Sequence, residues 1–121
     1  MFLERIRQRN PQLLQAVTKL HQEGSLPANT WVIDLDVIAE NAAILSRAAR
    51  ESGLHTYVMT KQYARNPLVT RVAIDRGLGA PVAVDVQCAK MLQRYGIPIG
   101  HVGHLNQIPR HEIADALAMK P

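Results

Sequence analysis

The sequence predicts an α/β protein built on a parallel sheet, and three observations predict it. Short, near-continuously apolar runs alternate with helix-length amphipathic stretches from residue 30 onward. Each helix-length stretch opens on an Asn, Asp or Pro signal, and most of them close on a glycine. The chain has 121 residues, 47% of them hydrophobic, enough for a core of its own.

The elements follow in order. Phe2, Leu3 and Ile6 suggest a short separate helical turn. Asn10 is a candidate N-cap and Pro11 a first helical residue, opening a helix over 10–23 that Gly24 stops. Leu13, Leu14, Val17 and Leu20 form its apolar stripe. Residues 25–29, with Pro27, read as a linker. TWVIDL (30–35) is β-branched and aromatic, and predicts the first strand. Asp36 is expected to cap a helix that presents Ile38, Ala42, Leu45 and Ala49 on one face and stops at Gly53. TYVMT (56–60) predicts a second strand, followed by a loop from Lys61 to Arg65 and by Asn66–Pro67, a second cap-plus-proline signature. The helix after it ends near Gly77. Residues 81–84 predict a third strand, and Asp85 caps a helix that runs to Tyr95. Residues 97–102 predict a fourth strand, with Pro98 tolerated near its start. Pro109 opens a last helix.

Composition excludes several function classes. A single cysteine, Cys88, rules out a disulfide framework and suits a reducing compartment. No apolar run approaches the roughly 20 residues needed to span a bilayer. The N-terminus carries Arg5, Arg7 and Arg9 but no apolar segment of a secretory signal. A cytoplasmic location is expected, with no membrane partner. The net charge is +4, yet the basic residues are dispersed and do not interleave with aromatics, so no nucleic-acid partner is expected.

In parallel α/β folds, ligands bind at the carboxyl ends of the strands. That rule selects residues 34–36, 61–66, 85–87 and 103–107. A lysine directly after an apolar strand, as at Lys61, is a candidate nucleophilic amine, although a solvated lysine at a strand exit is the blander alternative. Asp34 and Asp36 alternate along the predicted strand, as a metal-binding or acid–base pair would, but the favoured reading is structural: Asp36 as a helix cap and Asp34 as a hydrogen-bonded carboxylate. His101 and His104, three apart on a strand, would face opposite ways, and with His111 on the next helix they make no zinc motif. His104 alone remains a candidate ligand contact. Gly77 and Gly79 lie on the helix-to-strand side and read as a C-cap and turn, and no phosphate-binding glycine fingerprint follows any strand. Cys88 reads as a small buried residue, and Met59, Met91 and Met119 as core.

The order of these segments resembles a known family. WVIDLDVIAENAAIL (31–45), YVMTK (57–61) and VAVDVQCAKMLQRYGIPIGHVGH (82–104) resemble the opening of the alanine-racemase-like, fold-type III pyridoxal-phosphate enzymes. A lysine followed by QYARNP (62–67) is similar to the YhfX-type group proposed to be amino-acid racemases. The resemblance covers about residues 25–121 and rests on order and spacing more than on any one motif.

It implies a TIM-type (β/α)8 barrel, of which this chain would be the N-terminal part: about four βα units, preceded by an N-terminal helical segment over residues 1–24. A complete barrel needs about 250 residues. It further implies that Lys61 holds pyridoxal 5'-phosphate as a Schiff base and exchanges the Cα proton of an amino-acid substrate. Tyr63, Arg65, Asn66 and His104 would help hold the cofactor. Tyr63 lies two residues after the lysine, where alanine racemase has its phosphate-binding tyrosine four residues after, so that role does not transfer directly. Phosphate loops, the second catalytic base and the substrate pocket are expected beyond Pro121. The full-length protein would be a racemase or related enzyme, a homodimer, and this chain alone is expected to retain cofactor weakly and to turn nothing over. Two alternatives stand beside this reading: a pyridoxal-phosphate-binding homeostasis protein without catalysis, and an inactive truncated product.

Overall fold

A computed structural model describes residues 2–103 and 107–121. The chain separates into two compact units, Met1–Asp34 and Leu35–Pro121.

In the first unit, α1 (Phe2–Arg9) and α2 (Pro11–Gln22) are joined through Asn10. The Asn10 Oδ1 atom accepts the Leu13 N–H at 2.9 Å, and Pro11 occupies the first helical turn, as the sequence predicts. The Asn10 side-chain Nδ2 donates to the Asp34 carboxylate, which makes Asp34 a structural hydrogen-bond acceptor. Residues 30–34 join no sheet, and Trp31 is 93% exposed.

The second unit carries α3 (Leu35–Glu51), β1 (Val58–Met59), α4 (Pro67–Asp75), β2 (Pro81–Ala83), α5 (Val86–Arg94), β3 (His101–Val102) and α6 (Ile113–Ala118). The strands form one parallel sheet in the order β1-β2-β3, with Val58 opposite Pro81 and Val82 opposite His101. The main core lies between this sheet and α5. Ala83, Val84, Val86, Ala89, Leu92, Ile97 and Val102 are buried there, with Leu92 and Ile97 the largest side chains fully enclosed. Met59, Met91 and Met119 pack against it, and Cys88 is a free thiol within it. A smaller cluster of Ala42, Val58 and Ala73 is covered by Tyr63 and Leu78, where α3 and α4 meet.

The expected fold class is corrected by these coordinates. The chain is a small α/β domain with six helices and a short three-stranded parallel sheet among the described residues, not four βα units of a (β/α)8 barrel. The predicted strand over 30–35 accounts for the difference. β-propensity reports how well a side chain fits a pleated surface, not whether a partner edge exists, and residues 30–34 have none. Leu35 already begins α3, so Asp36 lies within the first helical turn and is not its cap.

The turn before β2 matches its reading as structural. The Gly77 and Leu78 N–H groups close α4 on the Ile74 and Ala73 carbonyls. At Gly79 a Cβ would fall 1.8 Å from the Thr56 carbonyl oxygen, so no side chain fits there. Among the described residues, no helix is long and apolar enough to cross a membrane.

Candidate functional site

The carboxyl ends of the three strands bring residues 60–66, 84–86 and 103 to one edge of the sheet. The first of these segments is anchored just past the end of β1, where Thr60 is fully buried and its hydroxyl needs a partner. The Thr60 Oγ1 atom donates to the Val82 carbonyl at 3.1 Å, tying the end of β1 to the middle strand. That donation uses its one proton, so the Cys88 thiol is the donor in the 3.7 Å contact between Cys88 Sγ and Thr60 Oγ1.

Lys61 follows immediately, opening a 3-10 turn over Lys61–Tyr63. Its side chain is exposed at the end of β1 and makes no ion pair or side-chain hydrogen bond among the described residues. The turn closes tightly. The Ala64 N–H donates to the Lys61 carbonyl (3.3 Å), the Arg65 N–H to the Thr60 carbonyl (2.9 Å) and the Asn66 N–H to the Tyr63 carbonyl (3.2 Å). Ala64 and Arg65 are both left-handed, at φ 56° and 60°. Each such residue costs roughly 1–2 kcal/mol when it is not glycine. Consecutive left-handed residues can aim amides at an anion, but here all three amides are spent inside the loop. Those three amides are therefore not offered to a ligand.

The cationic side chains of the loop are Lys61 and Arg65. The Arg65 Nη2 atom lies 3.5 Å from Asp85 Oδ2, an ion pair between loops that follow adjacent strands, with both groups partly exposed. The other Asp85 oxygen caps α5, accepting the Cys88 N–H at 2.6 Å. One contact on Arg65 leaves most of its five N–H donors for another acceptor.

Tyr63 is turned the other way. It packs over the smaller core cluster with its hydroxyl 3.1 Å from Thr70 Oγ1. Burial raises its pKa above the usual 10.0; the Thr70 hydrogen bond opposes the shift, and the nearby Cys88 adds to it. Asn66 caps α4, with Oδ1 accepting from Leu68 (2.9 Å) and Val69 (3.3 Å), and this occupies the helix amides closest to the loop. His104 lies outside the described residues. His101 is exposed on β3, His111 sits in a 3-10 turn, and the described residues hold no cluster of three or more potential metal ligands.

Lys61, Arg65 and Asp85 thus share one edge of the sheet, whereas Tyr63 and Asn66 support the loop from behind. Two residues not singled out as functional from the sequence matter here. Thr60 lies just past the end of β1, and its tie to Val82 joins positions 22 apart in sequence. The second role of Asp85, as partner to Arg65, joins positions 20 apart in sequence and leaves no local signal.

No protein-family model matches the chain. The uncharacterized protein YhfX of Escherichia coli strain K12 is 43% identical to it over 117 residues, covering 97% of this chain. The chain spans only 30% of that relative's length. Along nearly all of its own length, therefore, the chain is similar to one segment of a much longer protein.

Proposed function

We propose that this chain carries the cofactor-attachment lysine, Lys61, of a pyridoxal-phosphate-dependent amino-acid racemase or related enzyme. One observation carries the reading: a lysine amine without an ion pair among the described residues, at the carboxyl end of a parallel strand, in a loop that also presents Arg65. The donor set fits the cofactor's two ends. A primary amine suits its aldehyde, and a guanidinium suits its phosphate, because a planar fork of donors matches phosphate oxygens. The capped amides of α4 offer the phosphate little.

When bound, pyridoxal phosphate supplies an electron sink that acidifies the Cα–H of an amino acid. Lys61 Nζ would hold the cofactor at its carbonyl carbon, and the same amine, when free, would serve as base and acid for the Cα proton on the face it occupies. Arg65 would orient the anionic end, and Asp85 would restrain Arg65 through their ion pair.

The chain is incubated with pyridoxal phosphate, reduced with borohydride and mapped by peptide mass spectrometry. The four lysines are Lys19, Lys61, Lys90 and Lys120. Lys19 and Lys90 are paired with Glu23 and Asp115. Lys61 is expected to take the largest share of the label, and an even distribution over all four would sink the reading. Reduction traps even short-lived attachment, so weak retention does not blunt the test. Deuterium uptake at Cα across a panel of amino acids then distinguishes an enzyme from a protein that only handles the cofactor.

A further inference from the structure

We propose that Thr60 is the positioning residue for the Lys61 amine, a role that rests on the reading of Lys61 given above. A lysine side chain is long and carries much rotamer freedom, so its placement begins with its backbone. The backbone of Lys61 leads directly from Thr60 into the 3-10 turn. The Thr60 side chain is fully buried, and its hydroxyl reaches across to the Val82 carbonyl of the neighbouring strand. Its own carbonyl receives the Arg65 N–H at 2.9 Å, which closes the turn. One residue therefore sets where the chain leaves the sheet at Lys61 and where it returns at Arg65. The two cationic side chains of the loop are held in one frame by a group that touches neither of them.

The left-handed pair Ala64–Arg65 makes that frame sensitive. Two unfavourable backbone conformations persist only where the surroundings over-determine them. Removing the hydroxyl leaves the Val82 carbonyl without this donor in a buried place. Strain in the turn then favours opening, which would let Lys61 and Arg65 move independently.

Thr60→Val keeps the shape and removes the hydroxyl, and Thr60→Ser returns it. Ser46→Ala removes another buried hydroxyl, bonded to the Gly77 carbonyl away from the loop, and controls for general loss of stability. Two measurements are made on each chain: amide hydrogen exchange at residues 64–66, without cofactor, and the share of borohydride-trapped pyridoxal phosphate on Lys61. In Thr60→Val, exchange is expected to rise about tenfold or more, the size expected for one lost buried hydrogen bond. The Lys61 share should fall toward that of the other lysines. Thr60→Ser should restore both, and Ser46→Ala should change neither. Unchanged exchange in Thr60→Val overturns the proposal, and so does faster exchange with an undiminished Lys61 share. If Lys61 of the unsubstituted chain takes no preferential label, the cofactor reading fails first and the role of Thr60 falls with it.

Discussion

Arg65 and Asp85 meet at 3.5 Å from the loops that follow two adjacent parallel strands, and Asp85 at the same time caps the helix beginning at Val86. One carboxylate thus serves a local purpose through Oδ1 and a long-range one through Oδ2. The two purposes have different energetic weights. An exposed ion pair contributes little, from about 0 to 1 kcal/mol, whereas a helix cap contributes about 1 kcal/mol.

Substitutions at Asp85 should separate them. Asp85→Asn retains a capping oxygen and removes the charge, so stability should change by no more than a few tenths of a kcal/mol (about 0.5 at most). Asp85→Ala removes both and should lower stability by about 1 kcal/mol. Urea denaturation followed by circular dichroism checks the difference. Both variants should reduce the Lys61 share of trapped cofactor if Arg65 needs its partner.

Tyr63 gives a pH dependence of known sign. Its pKa is raised in the folded chain by burial, above the unfolded value of 10.0. The folded state therefore holds the phenolic proton more tightly than the unfolded state does. The stability associated with this group is fully present below pH 10.0 and is lost as pH rises through the folded value. The difference in stability between the unsubstituted chain and Tyr63→Phe should shrink or reverse across that alkaline window. In an ultraviolet titration, the absorbance change missing from Tyr63→Phe should be one centred above pH 10.0.

Ala64 is left-handed at φ 56°, which glycine adopts without steric penalty. Ala64→Gly should raise stability by about 0.5–1 kcal/mol. Ala64→Val, branched at Cβ, should lower it, and thermal unfolding of the two variants in parallel checks both signs.

Leu92 is fully enclosed between the sheet and its own helix. Leu92→Ala should destabilise the chain by about 2–5 kcal/mol, the lost transfer energy plus that of the cavity left behind. Denaturant midpoints measure it, and hydrogen exchange should show the loss concentrated in residues 81–102.

Features that depend on neighbours in sequence were legible. Asn10–Pro11 and Asn66–Pro67 predict their helices because a cap bonds amides two or three residues away. Gly77 and Gly79 were readable as turn residues for the same local reason. Residues 30–35 misled, since their pattern is that of a strand while pairing depends on an edge elsewhere in the chain. The barrel built on that strand fell with it. At the site, the exit of Lys61 from an apolar strand was visible in sequence. The tie from Thr60 to Val82 and the pairing of Arg65 with Asp85 were not, because each spans about 20 residues and is set by the parallel register of β1 and β2.

The exposure of Trp31 has a practical consequence. It is the chain's one tryptophan, it belongs to the Met1–Asp34 unit, and it is 93% exposed in the native state. An indole already bathed in water changes its emission little when the chain unfolds. Tryptophan emission is therefore nearly silent on the unit that holds Lys61, and a tryptophan introduced beside the Leu92 core would report that unit's folding against the steady emission of Trp31.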